Sequence, residues 1–384
     1  MKKNYIICLL FFYSVAIAQS LQIVTVLDSE TNNVIPQTRL IWNDNVFYTN
    51  DDGQVLIPSD AKDIKISAPN YQEIKLNDLH EIIKLEPKYT EIPEVIIKSI
   101  DIKNVFENIL KNYDKFYGTQ QSAIYDISIK QKAKNSDKLN NLFVADMNLW
   151  TSDGQYHFGE KNLYNFAQMS IDKIRYYQTR KLGEDDIFNN DINIRPQDFI
   201  QKIFLNAELS GILNDTKNYK IGASVVSEDD DTKTIIFKSE KIEETGADFS
   251  GELLLNKPDN AIAYLKIDIN QSKTVSEKTN KKGEKYTRKT IFASLVYEFY
   301  KKDNKYIPTR YEITGKGTDI YKNNESPFEF FQEIIYKSSK KGNKKGLKNK
   351  IDLAKGLTEN IPANEIKDSK TLLSTEEQQF VDEP

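Results

Sequence analysis

The sequence predicts a mainly β (α+β) protein: a small Greek-key β-sandwich followed by a larger curled antiparallel sheet with a few packed helices. Three observations predict it. The chain holds 21 Tyr and 19 Phe, and aromatic side chains suit pleated surfaces. Short runs alternate apolar and polar residues at period two, over residues 21–86 and again beyond residue 219. Turn-forming residues punctuate those runs at short spacing.

The first element is a leader. Met1-Lys2-Lys3 precedes an apolar run from Tyr5 to Ile17, which ends at Ala16-Ile17-Ala18, a small-x-small cleavage site. A basic start, a short apolar stretch and such a site predict a signal peptide over 1–18 and an exported protein, at the periplasm or the outer-membrane periphery. The apolar run is too short for a membrane-spanning helix, which needs about 20 residues. Cys8, the sole cysteine, lies inside the leader, and Ile7 before it is too large for a lipoprotein signal. The mature chain then has no cysteine, and its cores carry its stability without disulfides. Cleavage leaves about 366 residues, enough for two domains. The net charge of −4 becomes −6 once Lys2 and Lys3 are gone, which points to no particular partner.

Residues 19–87 read as the sandwich. "LQIVTVLD" ends at the polar turn Asp28–Asn33, "VIPQTRLIW" alternates toward Trp42, and Asp52-Gly53 marks a tight turn. "DIKISAPNYQEIKL" alternates Ile64 and Ile66 with polar residues, and "EIIKLEP" closes the set. Five or more short strands without helical period indicate a sandwich. Val24-Thr25-Val26, Asp28, Ile35-Pro36, Thr49 to Gly53 and Val55, Ile64 to Ser67 and Tyr71, and Leu85-Glu86-Pro87 together resemble the carboxypeptidase-regulatory-like family, a transthyretin-like sandwich. Thr25 stands where that family usually has Gly, and Asn70 replaces the Gly before the aromatic; Asn tolerates the left-handed turn. The resemblance invites a zinc peptidase reading, but His157 and Glu160 form a His-x-x-Glu pair with no histidine after them, and His80 is the only other imidazole. A catalytic zinc site usually takes three protein ligands, so His157 reads as an ordinary histidine of an extended segment.

Residues 88–99 read as a linker ending in an edge strand. Pro87 and Pro93 bar helix, and Val95-Ile96-Ile97 is a good strand able to add to an exposed sheet edge. The alternative is a last strand of the sandwich.

Residues 100–338 read as the second domain, an antiparallel sheet plus helices. Ile102, Val105, Phe106, Ile109, Leu110, Tyr113, Phe116 and Tyr117 fall on one helical face, capped by Ser99 or Asp101 and stopped by Gly118. Pro196 suits the first turn of a helix carrying Phe199, Ile200, Ile203 and Phe204. After Tyr219 the runs form a meander. Leu265, Ile267 and Ile269 share one face; so do Ile291, Ala293, Leu295, Tyr297 and Phe299. Phe292, Val296 and Tyr300 make the second face apolar too, so both faces need a cover. A curled sheet with helices on it, with phrases such as "GELLLNKPDNAIAYLKIDI" and "KYIPTRYEI", resembles the lipoprotein-carrier (LolA-like) half-barrel. Lys273–Lys289 reads as a long hairpin loop, and Asp229-Asp230-Asp231 as a hairpin turn without the ligand spacing of a calcium loop.

Residues 339–384 read as a lysine-rich, largely disordered tail. Lys337 to Lys350 holds seven lysines and no acid, the pattern of a solvated linker. It lacks the interleaved aromatics of a base-stacking surface, so no nucleic-acid partner is expected. Leu372, Leu373, Phe380 and Val381 form an isolated apolar set suited to a short docked helix.

No Gly-rich phosphate loop, nucleophile elbow or mature cysteine is present. Glu184, Asp185 and Asp186 are paired carboxylates whose separation sequence does not give. No catalytic, cofactor-binding or metal-binding residue is assigned. The expectation is a non-catalytic envelope protein that binds or braces a partner; the alternative is a carrier holding a lipid or other apolar ligand in the concavity of the sheet. A filled concavity favours the first, an apolar cavity above about 300 Å³ the second.

Overall fold

Seven short strands build the first unit: β1 (Leu21–Asp28), β2 (Arg39–Trp42), β3 (Asn45–Tyr48), β4 (Gln54–Pro58), β5 (Lys62–Ser67), β6 (Ile74–Asp78) and β7 (Ile82–Leu85). The computed structural model describes residues 20–88, 98–119, 121–180, 194–271, 273–279, 283–361 and 371–383. The expected leader, Val95–Ile97 and the carboxylates at 184–186 lie outside the described residues. In the first unit a three-stranded sheet, β4-β1-β7, faces a four-stranded one, β3-β2-β5-β6. Alternation works as expected: Val24, Val26, Leu40, Ile57, Ile64, Ile66, Ile83 and Leu85 point between the sheets and are buried. β7 adds to β1 in parallel.

Three turns hold this unit in register. Gly53 has φ +69°, and a Cβ there would lie 2.8 Å from the Cβ of Val34, so only glycine fits the turn. Asn50 Oδ1 accepts from the backbone of Asp52 and Gln54, closing the same turn. Asp28 accepts from the amides of Glu30 and Thr31, and Tyr71 donates its hydroxyl to it at 2.9 Å. Asn70, with φ +66°, takes the left-handed position just before Tyr71.

The second unit contains β8 (Lys98–Ser99), α1 (Ile102–Lys111), α2 (Tyr113–Phe116), β9 (Ala123–Asn135), β10 (Lys138–Thr151), β11 (Ala167–Thr179), α3 (Pro196–Ile203) and α4 (Leu205–Asp215). Then come β12 (Ile221–Glu228), β13 (Thr232–Ser239), β14 (Asp248–Asn256), β15 (Ala261–Asn270), β16 (Val275–Thr279), β17 (Lys285–Lys302), β18 (Lys305–Tyr321), β19 (Asn324–Lys341) and α5 (Thr375–Asp382). One twelve-stranded sheet runs β11-β10-β9-β19-β18-β17-β15-β14-β13-β12-β8, with β16 hung on β17. It is two meanders in one. The first, β9 to β11, ends at one edge, and the helical segment carries the chain to the other. The second meander returns strand by strand until β19 pairs with β9. Several hairpins turn on two residues of positive φ: Ser136-Asp137, Asp303-Asn304 and Lys322-Asn323. Such turns match strand twist and set the register.

That register lays one apolar row across eight strands: Ala145, Ile129, Ile334, Tyr311, Tyr297, Leu265, Leu253 and Ile235. Ile102, Phe106 and Ile109 of α1 and Phe199, Ile200, Leu205 and Leu209 of α3 and α4 pack on the same face. Phe106 meets Phe237 edge to face at 5.8 Å. One polar break interrupts this face. Gln131 and Gln332 are cross-strand partners, both buried, and neither side-chain amide has a hydrogen-bond partner.

Four expectations need correction. The predicted single helix is two, because Asn112 leaves helical geometry at φ −107°, ψ 15°; Asp101 does cap its start. Ile291 is not on the buried face: a bulge between Thr290 and Phe292 leaves it exposed. Lys273–Lys289 is not simply a loop, since β16 pairs with the long start of β17. The tail from residue 339 is not largely disordered over its described part. β19 runs to Lys341, and Leu347, Ile351, Leu353 and Leu357 are buried. Backbone bonds from Ile171 to Asn349 and from Ile351 to Met169 seat this segment on the free edge of β11. Composition reads the lysines but not the open strand edge that the interleaved apolar residues fit. Beyond it, α5 starts with a capping box at Ser374 and packs Leu373 and Phe380 on Leu139, Leu142, Val144 and Tyr176.

Candidate functional site

The second face of the large sheet is where open space and charge meet. Strand alternation puts Leu40 and Phe47 toward the sandwich core and sends Arg39, Val46 and Tyr48 out of its four-stranded sheet. On the large sheet the same alternation turns Glu298, Arg310, Glu312 and Glu333 away from the helices. The two sets meet. Tyr48 donates its hydroxyl to Glu298 at 3.0 Å and lies 2.8 Å from Thr309 Oγ1. Gln37 donates to Glu312 at 3.0 Å, and Arg39 donates to the carbonyl of Phe299 at 3.1 Å.

Arg310 is the hub of this seam and is only 3 % exposed. Its guanidinium donates to Glu333 at 3.0 Å, to Glu298 at 2.9 Å and to Glu312. A buried guanidinium is tolerable only when its donors are matched, and here three carboxylates match them. Arg39 adds a second cation, 4.0 Å from Glu298. Burial pushes the Glu312 carboxyl above its ordinary range; Arg310 opposes this, and Glu333 and Glu298 add to it. Burial and the neighbouring Glu298 also push the Tyr48 phenol up, so it stays a donor.

A second junction ties three segments together. Lys132 of β9 sits 2.8 Å from Asp51 of the sandwich and 3.2 Å from Glu377 of α5. Lys130 sits 3.0 Å from Glu377. Thr375 donates its amide to Asp52 at 2.7 Å, and Asn50 donates to the carbonyl of Leu373 at 3.1 Å. Burial works to raise the Glu377 carboxyl, but Lys130, Lys132 and the Ser374 amide outweigh it and hold it at about 2.

Between these junctions the two units do not close. A cleft of about 490 Å³ is walled by Ile35, Pro36 and Pro69 on one side and Tyr264, Phe292 and Val296 on the other, with Arg310 and Glu312 among its lining residues. A neighbouring hollow of about 300 Å³ shares Phe292 and Thr314 and adds Lys132, Lys134, Lys316 and Phe331. Another hollow, about 250 Å³, is lined by Asp44, Tyr300, Lys302 and Lys337. The apolar second-face residues thus line the space under the sandwich. On the helix side only about 30 Å³ is left among Tyr113, Tyr117, Phe204, Phe299 and Tyr336. Chemically the seam presents aromatic walls over a floor of charges already committed to one another, an arrangement suited to binding.

His157 lies in a loop, 2.9 Å from Asp153 and against the ring of Phe166. His80 is exposed between β6 and β7. No group of three His, Cys, Asp or Glu is placed to hold a metal among the described residues, and no helix among them is long and apolar enough to cross a membrane. The Arg310 cluster was missed from sequence. Its signal was there: Arg310 and Glu312 alternate with Tyr311 and Ile313, charges on a strand with apolar residues on its other face.

No family model matches the chain, and no curated protein matches it. Among solved structures, a LolA superfamily protein from Nitrosomonas europaea is 11% identical, with 62% of this chain and 93% of that one covered, at a TM-score of 0.23. The Pseudomonas aeruginosa MucA/MucB complex structure is 5% identical over 64% of this chain and 100% of that one, at 0.20. A putative membrane-associated protein of unknown function from Bacteroides fragilis is 9% identical over 83% and 97%, at 0.14. At such scores none of the three bears on what the seam does.

Proposed function

We propose that this is an exported, non-catalytic envelope protein that binds or braces a protein partner, with the seam between sandwich and sheet as its working surface. One observation carries the reading: among the described residues the helix side is packed by the protein's own side chains, with a hollow of about 30 Å³ among Tyr113, Tyr117 and Phe204, whereas a cleft of about 490 Å³ stands open at the seam. A pocket for an acyl chain needs roughly 300 Å³ or more and a mostly apolar lining; the helix-side hollow is too small, and the seam cleft is large enough but has Lys266, Asp268, Glu298, Arg310 and Glu312 in its lining. The seam offers hydrophobic walls with a few fixed charges, which suits a protein surface of mixed polarity. The basic start, apolar run and Ala16-Ile17-Ala18 support export. The non-catalytic part rests on the commitment of Arg310, Glu298, Glu312 and Glu333 to one another.

The test is native mass spectrometry of the chain after mild extraction from its own envelope fraction. A mass equal to the polypeptide alone, or to the polypeptide with a protein partner, is expected. A stoichiometric co-purifying lipid would overturn the reading in favour of the carrier.

A further inference from the structure

The lysine-rich segment is not the solvated linker its composition describes. It is held on a rigid frame. Gly342 donates its amide to the Ser122 carbonyl, Gly346 bonds back to Asn343, and Ile171 and Ile351 lock residues 349–351 to β11. Leu347 is buried with Ile124 and Trp150. Ordering a charged segment has a conformational cost, and here it fixes a one-sign array in place. Lys340, Lys341, Lys345, Lys348 and Lys350 are exposed, and no carboxylate pairs with any of them among the described residues.

A second observation lies on the loop beside this array. Lys344 donates to the Tyr164 carbonyl at 2.7 Å, tying the segment to residues 157–166. That loop carries Phe158, 60 % exposed, and Tyr164, 37 % exposed. Phe158 stacks edge-on against Tyr156, which packs on Phe166, so its ring is supported rather than loose. Lys161 on the same loop is exposed. Two acids nearby are held to the frame by neutral donors and set against the more numerous lysines: Glu160 accepts from Asn162 and Asn165, and Asp352 accepts from Tyr164 and Ala354.

We propose that this end of the molecule docks onto an anionic lipid surface, the lysines meeting headgroup phosphates and Phe158 and Tyr164 entering the interface. Basic side chains near such a surface attract it through its negative potential, and aromatic rings favour the headgroup level. A nucleic acid is less well matched, since one supported, exposed Phe makes no series of stacking platforms. The proposal is independent of the seam and of what binds there.

The test uses the chain from Gln19 onward, so that the apolar leader does not bind vesicles itself. Co-sedimentation is measured with phosphatidylcholine vesicles and with vesicles in which a third of the lipid is phosphatidylglycerol. Binding to the anionic vesicles alone, weakening as salt is raised, is expected. At about fivefold per lysine, a variant with Lys340, Lys341, Lys345, Lys348 and Lys350 changed to Gln should lose more than about a hundredfold in partitioning. A charge-matched variant at Lys62, Lys65, Lys75, Lys278 and Lys285 should lose little. Circular dichroism checks that both variants fold, and Phe158→Ser tests the aromatic contact without touching charge. Equal losses in the two lysine variants, binding indifferent to lipid charge, or binding to duplex DNA but not to vesicles would each overturn the proposal.

Discussion

The two faces of the large sheet are made by the same strands and solve opposite problems. The helix-facing side is an apolar row closed by α1, α3 and α4, with a hollow of about 30 Å³ among Tyr113, Tyr117 and Phe204. The sandwich-facing side mixes charges with apolar patches; α5 covers the patch at Leu142, Val144 and Tyr176, charged junctions close others, and clefts stand between them. Apolar contact is non-directional and improves with every atom added, so the first face seals. Charged groups need matched partners at fixed geometry, so the second face touches where partners meet and stands open elsewhere. The first face therefore carries the larger share of the stability, and on the second the charged junctions add to it locally.

Four experiments would break or sharpen that contrast. Phe106→Ala on the helix side should remove about 3–5 kcal/mol of global stability, read from urea unfolding; a loss under about 1 kcal/mol would mean that face is not the main core. Arg310→Met should cost about 3 kcal/mol by leaving three carboxylates without their cation. Its signature should be local: faster hydrogen exchange along β3 and β18 at the seam, with the amides of α1 unchanged.

Glu377→Gln should cost about 2 kcal/mol at neutral pH, with a pH dependence of known sign. The folded carboxyl sits at about 2, below its ordinary value. Its contribution is therefore present above the ordinary carboxylate range and is lost as pH falls toward 2. The gap between wild type and variant should narrow over that window; a constant gap would mean the lysine contacts do not set the carboxyl's affinity for protons. The smallest effect has the opposite sign. Replacing Gln131 and Gln332 together by Leu should raise stability by about 1 kcal/mol, since both amides are buried without partners. A destabilised double variant would show that this pair is satisfied in solution.

Much of the strand pattern was legible. Val24 and Val26, Leu265 and Ile267, and Leu295 and Tyr297 alternate in sequence as they do in space. Asp101, Pro196 and Gly53 mark their caps and turns by local chemistry. A bulge exposes Ile291 and a break at Asn112 splits the predicted helix, and both depend on neighbours in space rather than on period. The seam was illegible for a related reason. Tyr48 and Glu298 are separated by 250 residues, and nothing in either strand names the other. The lysine segment was misread because its composition is that of a linker, while its few apolar residues find a free edge supplied by β11.

Local periodicity and turn chemistry determined which residues form strands and which face of each strand is apolar, because both depend on neighbours a few residues apart. Only the tertiary structure decided that β19 joins β9, that the sandwich covers the charged face, and that the lysines are displayed from a fixed frame. Those outcomes depend on which edges and faces remain unsatisfied once the local elements exist, and that is a property of the assembled molecule.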